Sequence, residues 1–147
     1  TFTNAMNLIG FLPDRGNRYA YHIGGANWQL RSSASVATTS VDTHGYRVDT
    51  FRYPAAIGGT SPTVVVLPAA PICNSGWTAT GTAAAVVTGN RGSFLASAAG
   101  NVDTDTGIDS WWVSSCTLSV TTASACREVQ SATQGVPANA YNDVICP

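Results

Sequence analysis

The densest group of potential ligands in the 147-residue chain is the run Asn101-Val102-Asp103-Thr104-Asp105-Thr106-Gly107-Ile108-Asp109. Asp103, Asp105 and Asp109, spaced by two and four, could turn carboxylate oxygens toward one point, the donor set a hard cation such as calcium takes. The run is not an EF-hand, because the sixth loop position holds Ile108 instead of glycine and the closing glutamate is missing. The competing reading is a turn whose Asn and Asp side chains bond their own backbone, which needs no ion. His22 and His44 are the general-base candidates near neutral pH. A nucleophilic triad would need one of them poised against a serine and an aspartate. His22 falls on the polar side of an alternating strand and His44 in a loop, so both read as isolated surface histidines. Lysine is absent, which excludes Schiff bases, lysine general bases and a lysine-bearing phosphate loop. There is no GxSxG nucleophile elbow. The chain therefore reads as a non-enzyme, with no cofactor unless the aspartates hold calcium.

Trp111-Trp112 and the tyrosine-rich strands could suggest carbohydrate stacking. Neighbours on a strand face opposite sides, so one tryptophan is expected in the core and the other at an interface.

Four cysteines remain, Cys73, Cys116, Cys126 and Cys146, with no CxxC pair and no histidine at metal-ligand spacing. An even count in a lysine-free, threonine-rich chain points to two disulfides in an oxidising compartment. Three pairings are open. Cys126 with Cys146 is favoured because it ties down a C-terminal stretch with little else to hold it, closing a loop worth roughly 3 kcal/mol. Cys116 with Cys126 is the competing hairpin staple.

Charged residues make up 10% of the chain, against roughly 25% in an average soluble domain, and the net charge is −1. Nucleic acid is excluded as a partner, since phosphate binding needs clustered cations. The nearest approach, Arg15 with Arg18, reads as a solvated turn beside Asp14. No stretch reaches the roughly 18–20 apolar residues that a membrane span requires.

The elements that must position these residues follow from periodicity. Phe2, Met6 and Ile9 lie at helical spacing, so Thr1–Gly10 is expected to be the end of a helix, stopped by Gly10 and Pro13. Its apolar face would need a partner, because so short a helix cannot stand alone. Pro13–Asn17 is a turn. Arg18–Ile23 alternates, with Tyr19, Tyr21 and Ile23 on one face, and after Gly24-Gly25 the alternation resumes at Trp28 and Leu30, which predicts a hairpin. Further strands are expected at Gly45–Tyr53, Thr63–Leu67, Ser93–Ala99, Ser110–Ser115 and Thr117–Thr122. Ser32–Asp42 and Pro68–Gly92 read as loop-rich, and Arg127–Pro147 as irregular. The expected fold is α+β, mainly β, in one domain. Residues 1–10 form a helix stub, 11–126 an antiparallel sheet with loops, and 127–147 a disulfide-tied C-terminal loop region.

Specific strings sharpen this. Ile9-Gly10-Phe11-Leu12-Pro13-Asp14-Arg15-Gly16-Asn17-Arg18-Tyr19-Ala20-Tyr21 resembles the segment that follows the long N-terminal helix in one group of type IV major pilins. The block Phe94-x-Ala96-x-Ala98-Ala99-Gly100-Asn101-x-Asp103-x-Asp105-x(3)-Asp109-x-Trp111 resembles the strand–loop–strand block of the same pilins. Asn142-Asp143-Val144 with Cys146 is similar to their ending. Residues 27–90 match no string of this kind.

The resemblance implies a pilin headgroup that assembles with other pilin subunits into a pilus on the bacterial cell surface, serving adhesion and motility. A calcium-binding minor pilin or a type II secretion pseudopilin is the alternative. Such a pilin also carries an apolar N-terminal helix, absent between Thr1 and Pro147. Either the headgroup has been cut from a longer polypeptide, or the pilin is split into a short helical chain and a globular one, as in geopilins. The start at Thr1, close to the expected helix end, favours the split form. In either case Phe2, Met6, Ile9 and Phe11 are the residues expected to meet the partner helix.

Overall fold

A computed structural model describes residues 3–35, 42–54, 69–72, 85–87, 92–103, 105, 107–119, 126 and 131–145. Ten short strands order these residues: β1 (Ala20–His22), β2 (Trp28–Gln29), β3 (Gly45–Tyr46), β4 (Ala69–Ile72), β5 (Ala85–Val87), β6 (Ser93–Gly100), β7 (Asp109–Ser114), β8 (Thr117–Ser119), β9 (Ser131–Ala132) and β10 (Ala138–Tyr141). The expected strands at Ser93–Ala99 and Ser110–Ser115 are present as β6 and β7. They pair antiparallel in unbroken register from Leu95 opposite Ser114 to Gly100 opposite Asp109. This hairpin is the spine of a sheet ordered β10-β7-β6-β1-β3-β2. β5 and β1 share the remaining edge of β6, β5 along Ser93–Leu95 and β1 along Ser97–Ala99. A smaller sheet runs β4-β8-β9.

Period two sorts the two faces of the spine. Leu95, Ala99, Ser110, Trp112 and Ser114 are buried on one side. Phe94, Ala96, Ala98, Trp111 and Val113 are only half-buried on the other. Glycine lets the strands approach closely at Gly100, where a Cβ would stand 2.6 Å from the Arg18 carbonyl oxygen.

Three expectations change. No described residue is helical. Residues 5–11 instead form one turn, in which the Leu8 and Ile9 amides bond the Ala5 carbonyl, Gly10 bonds Asn7 and Phe11 bonds Met6. With Gly10 at φ 77°, the last two bonds are the pattern that closes a helix C-terminus. The Met6 amide bonds Thr43 across the chain instead of a preceding turn, which keeps the segment to a single turn. Second, β1 and β2 do not form a hairpin. β3 lies between them, antiparallel to β1 and parallel to β2, which makes the sheet mixed. Gly24 and Gly25, both at positive φ, carry the chain away from β1, and His22 stacks on Trp28 at 4.5 Å. Third, the tail is not simply irregular, since β10 adds to the free edge of β7, placing Ala138 opposite Trp112. The expected strand at Gly45–Tyr53 shortens to β3, and the one at Thr63–Leu67 lies outside the described residues. No helix among the described residues is long and apolar enough to cross a membrane.

Candidate functional site

The half-buried face of the spine forms the floor of an apolar groove of about 660 Å³. Its shape follows from residue size. Ala98 lies between Tyr21 of β1 and Trp111 of β7 in one cross-strand row, and Ala96 lies beside Val113 in the next. The small side chains on β6 leave a trough between larger ones on both neighbours. One wall comes from the N-terminal turn, through Met6, Ile9 and Phe11. Met6 is 3% exposed and packs with Ile23 and Tyr46, whereas Ile9 is 56% exposed. The Phe11 ring meets Tyr21 edge-on at 5.1 Å. Of the four residues expected to meet a helix, three therefore border one groove, and Phe2 lies outside the described residues. The tryptophan pair divides as anticipated, with Trp112 in the core and Trp111 on the groove.

The Arg15–Tyr19 segment leads into β1 and ties it to distant parts of the chain. Arg15 clamps the buried Asp49 with Nε at 2.6 Å and Nη2 at 2.8 Å, and the Gly16 amide adds a third bond at 2.8 Å. The clamp holds the Asp49 carboxyl down at about 2, mainly through the Arg15 hydrogen bond. Asn17 Nδ2 donates to the Tyr19 and Arg47 carbonyls while its Oδ1 accepts from Arg31. Arg18 Nη1 donates to the Val102 carbonyl, and its guanidinium lies over the Tyr53 ring. The Tyr19 hydroxyl donates to Asp109, and the burial of the phenol together with that bond pushes its pKa upward. Arg15 and Arg18 thus lie at the expected turn, Arg18 exposed, but both side chains also make contacts distant in sequence that the turn reading did not foresee. A bidentate partner 34 residues away is invisible to local pattern reading.

The aspartates separate. Asp109 is buried, and besides Tyr19 it accepts from Trp111 Nε1 at 2.6 Å and Asn139 Nδ2 at 2.8 Å. Asp103 and Asp105 act as turn formers, each accepting from the amide two residues on. The carboxylate that joins them in space is Asp143, forty residues along the chain. Sequence spacing had no means of finding it.

The histidines have structural partners. His22 Nε2 lies 3.0 Å from the Gly25 carbonyl, and burial lowers its pKa. His44 Nδ1 accepts from the Asn27 amide. Neither described cysteine, Cys116 or Cys126, is a free thiol, while Cys73 and Cys146 lie outside the described residues.

Comparison with known proteins agrees with this architecture. Residues 1–109 match the family model described as type IV pilin PilA. The chain is also 30% identical over 148 residues to the type IV major pilin protein PilA of Myxococcus xanthus (strain DK1622), covering 99% of this chain and 67% of that protein. Match and identity together show the family: the chain belongs to the type IV pilin PilA family.

Proposed function

We propose that the chain is the globular part of a structural subunit of a type IV pilus on the cell surface, and that its apolar groove receives an N-terminal pilin helix. The observation that carries the reading is the continuity between groove and N-terminal turn. The turn at residues 5–11 is closed as a helix C-terminus is closed, and Thr3, Met6, Ile9 and Phe11 all line the groove. A pilin helix seated in the groove beside that turn would lay an apolar stripe along Ala96 and Ala98, whose small side chains permit close approach. Leu8, Ile9 and Leu12, each more than half exposed, leave further apolar surface beside it for neighbouring subunits. The relative bears the name of a major pilin, which favours the body of the filament over the minor-pilin and pseudopilin alternatives. Assembly with other pilin subunits is what the family does. Whether the helix belongs to the same polypeptide or to a short companion is decided by mass spectrometry of native filaments.

The pairing Cys126–Cys146, with Cys73–Cys116 as its complement, belongs to the same proposal, since it secures the chain that carries β10 against the spine. A subunit of this family acts by assembly, and both histidines bond backbone groups among the described residues.

Ala98→Leu tests the groove. Leucine there fills the trough without touching the buried face. The expected result is a protein of unchanged circular dichroism that, in cells producing it as their pilin, yields few or no pili by electron microscopy. Normal pili from a folded Ala98→Leu protein would sink the helix-docking reading.

A further inference from the structure

Asp143 is the least comfortable side chain among the described residues. It is completely buried, and one oxygen, Oδ2, accepts a 3.3 Å bond from the Val102 amide. Its other oxygen, Oδ1, is buried with no hydrogen-bond partner. A buried carboxylate left half-satisfied is costly unless it is protonated, paired or bound to a metal. No arginine among the described residues is paired with it. Burial foremost, and then the neighbouring carboxylates of Asp109, Asp103 and Asp105, push its pKa above the usual range.

Asp103 and Asp105 each bring a carboxylate oxygen to within 4.8 Å of the others and of Asp143. The turn geometry uses only Oδ1 of Asp103 and Asp105 for backbone amides, leaving the second oxygen of each available. The site grades from exposed Asp103 through half-buried Asp105 to buried Asp143, which gives an ion a path inward. We infer that Asp103, Asp105 and Asp143 form a divalent-cation site, with calcium as its ligand. The donors are all oxygen and lie on irregular segments, which suits the flexible coordination of calcium better than the strict octahedron of magnesium. Nitrogen and sulfur ligands, which would favour zinc, are absent from the group.

A cation here joins the β6–β7 loop to the residue two positions beyond β10. It supplies the counter-charge that Asp143 lacks and pins the C-terminal segment to the spine, independently of what occupies the groove.

The test is calorimetric titration of the chain with calcium chloride, paired with thermal melts in calcium and in chelator. Calcium at about a hundredfold excess over its dissociation constant should raise the midpoint by roughly 5–10 °C. Asp105→Asn, at a half-buried position, should keep the fold and lose both the binding heat and the shift. Asp143→Asn should lose the shift as well, while its melt in chelator moves upward because the buried charge is gone. A midpoint indifferent to calcium would overturn the proposal, as would a full calcium shift in the folded Asp105→Asn protein. A magnesium shift as large as that of calcium would overturn the assignment of the ion.

Discussion

Asp49 shows how much one residue organises. It is completely buried, yet its carboxylate is met by both faces of the Arg15 fork and by the Gly16 and Arg52 amides. Asp49→Asn removes the charge that these donors converge on, and it should cost about 2–3 kcal/mol in denaturant unfolding. The pH dependence has a definite sign. The folded carboxyl titrates at about 2, below its unfolded value of 3.8. The clamp's contribution is therefore complete above the unfolded value and disappears as pH falls toward 2. Acid titration of the melting point should show a step in that window in the parent protein and a smaller one in Asp49→Asn. An identical acid profile in the two proteins would refute the assignment. Asp143 has the opposite sign. Its raised pKa favours the fold when protonated, and that contribution is lost as pH rises through the folded value.

Among the elements, the N-terminal turn has two sides with different duties. Met6 is sealed among Ile23 and Tyr46, so Met6→Ala should destabilise the isolated chain by about 2–4 kcal/mol through the cavity it leaves. Ile9 is mostly exposed on the groove wall, so Ile9→Ala should change stability by about 0.5 kcal/mol or less while reducing pilus yield. Equal losses of stability at the two positions would contradict this division of labour. The turn also marks what periodicity can and cannot reveal. Helical spacing grouped Phe2, Met6 and Ile9; of these Met6 and Ile9 both line the groove, one sealed and one exposed, and Phe2 lies outside the described residues. It overstated the helix, because the Met6 amide is satisfied by Thr43, a residue distant in sequence. The glycine pair after β1 likewise signalled a turn, but the identity of the strand beyond it was decided by β3, which is distant in sequence.

For the whole molecule, the larger of the two sheets has a β6–β7 spine with one sealed face and one open one. The tail contributes β10 to that sheet and Asp143 to the acidic cluster, so its attachment governs the rest. If Cys126–Cys146 secures it, peptide mapping of the unreduced chain should recover that pair, and reduction should lower the melting point by several degrees, as loss of roughly 3 kcal/mol implies. Recovery of a Cys116–Cys126 peptide instead would overturn the pairing.

What the amino-acid sequence determined by itself was local or compositional. The absence of lysine and the scarcity of charge removed whole classes of chemistry. Period-two alternation set β6 and β7, and the strings around Arg15 and Phe94 pointed to the pilin family that the comparisons then showed. Only the tertiary structure decided which strand pairs with which, that Arg15 belongs to Asp49, and that the third carboxylate beside Asp103 and Asp105 is Asp143 and not Asp109. The physical reason is the same in each case. Turn geometry and side-chain alternation act over a few residues, whereas a buried ion pair, an inserted strand or a shared cation site depends on segments well separated along the chain meeting in space, and nothing in their own neighbourhoods records the meeting.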